Sequence, residues 1–395
     1  MRLRCPEVSS NTSSDTYLYD ILSVSMIDVT PPKSIHSRWH KIRAWMHVHP
    51  QRSYAIIGFI IIVLAFIAAA LVYAFALPAD KPLHITSVKK TLKKVAPVVY
   101  YSPLTGVKVP DEATTKLPVT GIMIENSPDA RPQSGLKQAG IVYEAIAEGG
   151  ITRFLALYQE AKPQLIGPVR SLRMYYLDWA APYQASITHF GGSAASLAEV
   201  KNSQYRNLDL MAVGGQYYWR ATDRYAPHNV YTTFAKLDAL NASKNYTTSA
   251  FTPWPRQDGK PSAAPNATSV DIHISGPLYD SHYAYDSTTN TYLRNVNGKP
   301  STDREDGQIT PTTVIAMKID MSTILQDGYR EDIATTGSGQ ANIFQDGVIT
   351  YANWQKKSRT DPITFTDAAG KEIPLDRGQT WVVAVPNSNG SVSWQ

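Results

Sequence analysis

The residues best suited to chemistry in this sequence are arginines. Between residues 118 and 230 there are 7 Arg against 3 Lys, whereas residues 231–395 hold 6 Arg and 8 Lys. A planar guanidinium grips phosphate or carboxylate through two parallel N–H donors, while Lys suffices for solubility, so the bias points to an anion site in the first segment. The densest run is Gly167-Pro168-Val169-Arg170-Ser171-Leu172-Arg173. A helix beginning within 169–171 would set Arg170 and Arg173 on one face at i, i+3, beside free N–H groups and the positive end of the helix dipole. Such a pair would receive a phosphate; the alternative is an ion-pair staple to Glu144, Glu148 or Asp178.

Two glycine turns flank this run, Glu148-Gly149-Gly150-Ile151-Thr152-Arg153 and His189-Phe190-Gly191-Gly192-Ser193. In the second, Ser193 is placed to cap a helix, and the N–H groups of Gly191 and Gly192 could cradle an anion. A third cluster spans 217–229, with Tyr217, Tyr218, Trp219, Arg220, Asp223, Arg224, His228 and Asn229. His228 is the best general acid or base there, because histidine titrates near neutrality, and His189 is a second candidate. Glu148 and Asp223 are the favoured carboxylates, with Glu125, Glu144 and Asp178 also available. The expected binding set is Arg153, Arg170, Arg173, His189, Arg220, Arg224 and Asn229, and the expected catalytic set is His228, Glu148 and Asp223. A hydrophobic corner in which Asp223 satisfies Arg224 is the plainer reading of 217–229.

Other chemistries lack their signatures. GGSAAS at 191–196 has no second glycine at nucleophile-elbow spacing. The single Cys5 excludes a disulfide framework and cysteine-based zinc sites. His36, His40, His47 and His49 lie in a stretch without carboxylates from 29 to 79 and read as solvated histidines. No metal and no cofactor is expected. Lys356, Lys357 and Arg359 beside Trp354 could meet a polymer or a lipid headgroup, with a solvated strand end the preferred reading.

The elements that would position these residues begin after residue 117. Runs at 119–125, 141–147, 153–159 and 186–190 read as strands, and 171–181, 193–200 and 233–240 as short helices, which argues for a layered α/β lobe with a mixed sheet over 118–240. Residues 241–269 read as a linker or long excursion. Beyond it, 271–275, 283–286, 291–296, 313–319, 342–344, 348–351, 363–366 and 381–385 read as strands, with Asp346-Gly347 a hairpin turn, giving a smaller β-rich lobe over 270–390.

Residues 54–77 carry no charge, Asn, Gln or Pro, and at about 1.5 Å per residue would span a bilayer core of about 30 Å. They read as an uncleaved signal anchor between a mostly disordered basic tail, 1–53, and a Pro- and Lys-containing stalk, 78–117. The formal net charge of +5 divides as +3 in 1–53, +4 in 78–117, +1 in 118–230 and −3 in 231–395. The basic excess therefore flanks the membrane segment, and nucleic acid is not an expected partner. Lysines and arginines are nearly balanced across the span, so charge alone leans only slightly towards a cytoplasmic N-terminus.

The stretches ARPQSGLKQAGIVYEAIAEGGITRFLALY at 130–158, IGPVRSLRMYYLDWA at 166–180, YYWRATDRYAPHNVYT at 217–232 and FQDGVITYANWQKKSR at 344–359 resemble the bacterial YerB-like family, whose two consecutive domains are of unknown function. The likeness covers about 285 residues. It implies an extracytoplasmic protein tethered to the plasma membrane, with the C-terminal domains outside; here a bitopic helix stands where the family carries a lipidated cysteine. A slighter likeness is to the LytR-CpsA-Psr wall-polymer transferases, which bind polyprenyl pyrophosphate with arginines at strand ends, although no Asp follows Arg153 or Arg170 as in that family. The leading expectation is an envelope protein binding an anionic lipid or wall polymer through its arginines. The rivals are a phosphotransferase or hydrolase acting on polyprenyl-linked wall precursors, and a protein-interaction module.

Overall fold

The computed structural model describes residues 36–76, 98–202, 205–324 and 330–395. Two compact units are present, one ending at Lys93 and the other beginning at Lys94. In the first, the helix Pro50–Ala76 is long and apolar enough to cross a membrane. It begins four residues before the expected span, with Pro50 at its start where a missing N–H costs nothing. Helix His36–Val48 occupies part of the tail expected to lack order. Residues 1–35 of that tail, Leu77 and residues 78–97 of the stalk lie outside the described residues. From residue 98 the expected stalk is already part of the second unit: Tyr100–Tyr101 pairs with Lys108–Val109, and Leu104 is buried.

The second unit is built on one mixed sheet. Its principal strands are β1 (Thr120–Glu125), β2 (Ile141–Glu148), β3 (Ile151–Tyr158), β4 (Ser186–His189), β5 (Arg206–Asp209), β6 (Thr313–Ile319), β7 (Gly337–Gln345), β8 (Val348–Lys356), β9 (Thr364–Thr366) and β10 (Thr380–Pro386). The spatial order is β9-β8-β7-β6-β10-β2-β3-β1-β4-β5. The expected pair of lobes is therefore not seen as two sheets. Strand β10, from the C-terminal segment, lies parallel to β2 with Thr380 opposite Ile141, and the sheet runs through both segments. The physical reason is legible in the strands: β1 and β10 are buried along their whole length, as strands covered on both faces must be.

One face packs on helix Met174–Ala180, with Tyr176 and Trp179 against Tyr143, Leu155 and Met123. The other packs on helix Phe234–Ser243 and on a five-stranded antiparallel sheet, Lys299–Pro300, Thr291–Val296, Ser281–Asp286, Ser269–His273 and Ser391–Trp394. Thr233 Oγ1 caps the first of these coverings by accepting from Lys236 N at 3.2 Å. At the β7–β8 hairpin, Asp346 and Gly347 both take positive φ, 57° and 76°, as a two-residue turn of this hand requires.

Residues 244–268 form an ordered excursion. Arg256–Gln257 pairs with Leu375–Asp376, and the Arg256 guanidinium donates to Leu104 O, Asp376 O and Thr380 Oγ1 at 2.6, 3.0 and 2.9 Å. Burial, with the Asp346 carboxylate beside it, pushes the Asp376 carboxyl up to about 7. A raised carboxyl favours the fold while it is protonated: the contribution is complete below its ordinary value of 3.8 and is lost as pH rises through about 7. Thermal unfolding of wild type is thus expected to lose midpoint between pH 5 and pH 8, and Asp376→Asn to flatten that slope. An unchanged slope in the variant would remove Asp376 as its source.

Candidate functional site

The expected helix start at 169–171 does not form, and this decides the fate of the arginines. The backbone N–H of Val169 donates to Val230 O at 2.7 Å, that of Arg170 to Met123 O at 2.8 Å, and that of Leu172 to Gly191 O at 3.0 Å. These amides are engaged by neighbouring extended chain, so the helix begins only at Met174, with Arg173 in extended conformation before it. Arg170 and Arg173 consequently serve different carboxylates instead of sharing a face.

Arg173 donates to Glu148 Oε2 through Nη2 at 2.6 Å and Nε at 3.0 Å, and to Leu172 O. Arg153, fully buried at the start of β3, donates to Glu148 Oε1 at 2.7 Å and to Ser171 O at 3.0 Å. Burial alone would push the Glu148 carboxyl up, but the charges of Arg153 and Arg173 outweigh it and hold Glu148 below its usual range. Both oxygens of Glu148 are occupied, which is the ion-pair staple weighed above. His189 is likewise internal: Nδ1 donates to Gly191 O at 2.8 Å, Nε2 meets Asn207 Oδ1 at 2.9 Å, and the ring is fully buried. It shapes the Gly191 turn, while Ser193 Oγ accepts from Ser196 N at 3.3 Å as a cap.

A second group forms at the end of β1. Glu125 closes an otherwise uncharged, wholly buried strand, and its Oε1 lies 2.9 Å from His228 Nδ1, 3.0 Å from Ser127 Oγ and 3.3 Å from Arg170 Nε. A buried carboxylate on Nδ1 fixes the imidazole and turns Nε2 away from it, the arrangement that lets a histidine act as acid or base. The ring is partly exposed, and Ser127 Oγ also sits 3.2 Å from Nδ1. Sequence reasoning placed Glu125 only among the spare carboxylates. The signal that singles it out is an acid ending a buried strand, which needs partners.

The 217–229 loop adds the third group. Arg220 Nη1 donates to Asn229 Oδ1 at 2.8 Å, and its guanidinium lies over the Phe190 ring, 5.1 Å from the centroid. Arg224 donates to the carbonyls of Ala130 and Pro132. Asp223 pairs with Arg304 at 2.8 Å and not with Arg224; the hydrogen bond to Arg304 holds its carboxyl below the usual range. Arg304, a residue that sequence reasoning passed over, joins Arg220, Asp223, Trp219 and Tyr231 around a pocket of about 480 Å³. Asn229 is buried and donates to Ala221 O and Arg224 O, so it holds the loop in shape.

The structure thus joins Arg153, Arg173 and Glu148 in one cluster, Arg170, Glu125 and His228 in a second, and Arg220 with Asp223 and Arg304 in a third. Segment 170–173 strings the first two together, since Ser171 O accepts from Arg153. Among the described residues no group of three or more His, Cys, Asp or Glu comes together to hold a metal. Lys356, expected on a solvated strand end, is instead buried, with Nζ donating to Ser358 O, Arg359 O and Asp361 O at 2.8, 2.7 and 2.6 Å.

A strand-rich mixed sheet with an apolar helix ahead of it is the architecture these clusters sit on. The sequence places it more narrowly. Residues 104–247 match the N-terminal domain, and residues 270–382 the C-terminal domain, of a family of proteins of unknown function (DUF3048), and the chain belongs to that family. It is 32% identical over 291 residues, 72% of this chain and 86% of the other, to the lipoprotein candidate YerB of Bacillus subtilis (strain 168). A crystal structure of the YerB protein from Bacillus subtilis superposes with a TM-score of 0.67 at 30% identity, covering 74% of this chain and 99% of that one. Neither finding extends to the LytR-CpsA-Psr transferases, and that likeness carries no further argument.

Proposed function

We propose that this is a single-pass protein of the bacterial plasma membrane, N-terminus cytoplasmic and folded unit outside, that binds an anionic envelope component at the pocket of Arg220 and Arg304. The lipoprotein description of its relative and the apolar Pro50–Ala76 helix support the tethered placement. One observation carries the ligand class. Among the described residues Arg220 is exposed, is held by a neutral amide oxygen and an aromatic ring, and forms no ion pair; of the two carboxylates lining the pocket, Asp223 and Glu305, Asp223 is paired with Arg304. A phosphate or other polymer-borne anion would be met by the fork of Arg220, with Trp219 and Tyr231 as an apolar wall.

The test is calorimetric titration of the full chain in neutral detergent with poly(glycerol phosphate). Arg220→Ala is expected to weaken binding at least tenfold, on the order of 1.4 kcal/mol or more. Unchanged binding in the variant would overturn the assignment.

A second reading rests on His228, since Glu125 presents it as an acid or base on a phosphorylated, polyprenyl-linked substrate. Release of inorganic phosphate from polyprenyl pyrophosphate, abolished in His228→Gln and retained in Arg220→Ala, would favour that reading over simple binding.

A further inference from the structure

Strands β7 and β8 turn one face to the core and the other outward, and the outward face carries an unusual composition. Asn342 stands opposite Tyr351 and Gln340 opposite Asn353 in the antiparallel register, so these four side chains share one side of the hairpin. Trp394, from the C-terminal strand of the second sheet, closes the row, its ring centroid 6.1 Å from that of Tyr351 at an interplanar angle of 70°. Together they line a groove of about 640 Å³, within the range of ligand pockets.

Two properties of this groove point to one kind of ligand. Among the described residues, the amides of Gln340, Asn342 and Asn353 and the phenol of Tyr351 make no side-chain hydrogen bond within the protein, and Tyr351 is 67% exposed. Elsewhere in the fold, side-chain amides such as those of Gln133, Asn229 and Gln379 are engaged by backbone oxygens. Charge is nearly absent. Lys318 lines the groove, but its ammonium donates to Pro386 O at 3.1 Å and Gly390 O at 2.9 Å. An anion finds no free cation there, a metal finds no carboxylate, and an apolar peptide would strand the three amides without partners.

We infer that this groove is a carbohydrate-binding site, taking a neutral sugar chain. Amides both donate and accept, which matches vicinal hydroxyls. An aromatic face, negative at its centre, accepts the positively polarised C–H groups on the flat side of a pyranose ring. The site uses none of the residues assigned to anion binding, and stands or falls separately from it.

The probes are two neutral oligosaccharides, chitotetraose and maltoheptaose, added to the full chain in neutral detergent and followed by saturation-transfer NMR and by tryptophan fluorescence. At least one is expected to bind, with Tyr351→Ala weakening it tenfold or more and Asn353→Ala several-fold. Both substituted side chains are exposed, so the variants are expected to fold, and an unchanged far-ultraviolet circular dichroism spectrum checks this. Arg220→Ala is expected to leave sugar binding unaltered. Binding of neither oligosaccharide, or binding insensitive to both groove variants, would overturn the inference. So would a groove that takes a proline-rich peptide and no sugar.

Discussion

Glu144→Ala is expected to lower the unfolding free energy by about 3–5 kcal/mol, among the largest effects of any single substitution in the folded unit. Glu144, in β2, is fully buried and accepts from Arg294 Nη2 at 3.0 and 3.2 Å, from Trp381 Nε1 at 3.0 Å and from Thr152 Oγ1 at 3.2 Å. Arg294 is equally buried, its guanidinium 4.6 Å from the centroid of the Trp381 ring. Burial alone would push the Arg294 guanidinium down, but Glu144 more than offsets it. Removing the carboxylate leaves a cation without water or counter-charge, and that uncompensated burial is the source of the cost. The pair also ties the five-stranded sheet, which carries Arg294, to the centre of the large one. The double variant Glu144→Leu, Arg294→Met is expected to lose less than the two single losses added, with a coupling of about 1–3 kcal/mol, because a matched apolar pair strands neither charge. Denaturant unfolding of the four proteins measures it; additive losses would show that the two groups act independently.

The second large effect is at Glu148. Glu148→Gln leaves Arg153 and Arg173, both buried, with an amide where a carboxylate held both forks, and is expected to cost about 2–4 kcal/mol. The wild-type contribution has a defined pH window. Because the folded carboxyl is held below its ordinary value of 4.5, its stabilisation is complete above that value and is lost as pH falls through the lower, folded one. The variant should therefore lose part of the acid sensitivity expected of wild type below about pH 4.5. A structural staple predicts reduced stability with binding of poly(glycerol phosphate) unaltered at a temperature where the variant is folded. Full stability with binding lost would instead make Glu148 and its arginines part of the site.

These two clusters show what the sequence could and could not reveal. Strands β1, β2, β3 and β10 were readable because predominantly apolar runs bounded by Gly, Pro and Asn leave few alternatives, even with Glu144 inside β2 and Arg153 inside β3, and the Asp346-Gly347 turn because few other dipeptides adopt its backbone. The continuity of the large sheet across both segments was not readable, since the pairing of β10 with β2 joins residues more than 200 positions apart and no local pattern encodes it. The arginine bias pointed to an anion site in the first segment, where the structure shows Arg153, Arg170 and Arg173 in ion pairs. Which arginines remain available was hidden, because that depends on where carboxylates from other strands arrive: Glu148 takes Arg153 and Arg173, Glu125 takes Arg170, and Asp223 takes Arg304 in place of Arg224. The helix expected at Arg170 failed for a similar reason, its amides being claimed by Met123, Val230 and Gly191 from distant segments. Lys356 gave no warning of its burial, since three carbonyls of the following turn stand in for water.

Of the arginines expected to bind, Arg220 is the exposed one among the described residues and forms no ion pair there, and the proposed function rests on it. The most direct measurement is the affinity of the full chain for poly(glycerol phosphate) across a salt series, for wild type and Arg220→Ala. Wild type is expected to bind saturably and to weaken steadily as salt screens the contact, while the variant binds at least tenfold more weakly at low salt. Equal affinities for the two proteins, or wild-type binding indifferent to salt, would contradict an anion site at this pocket.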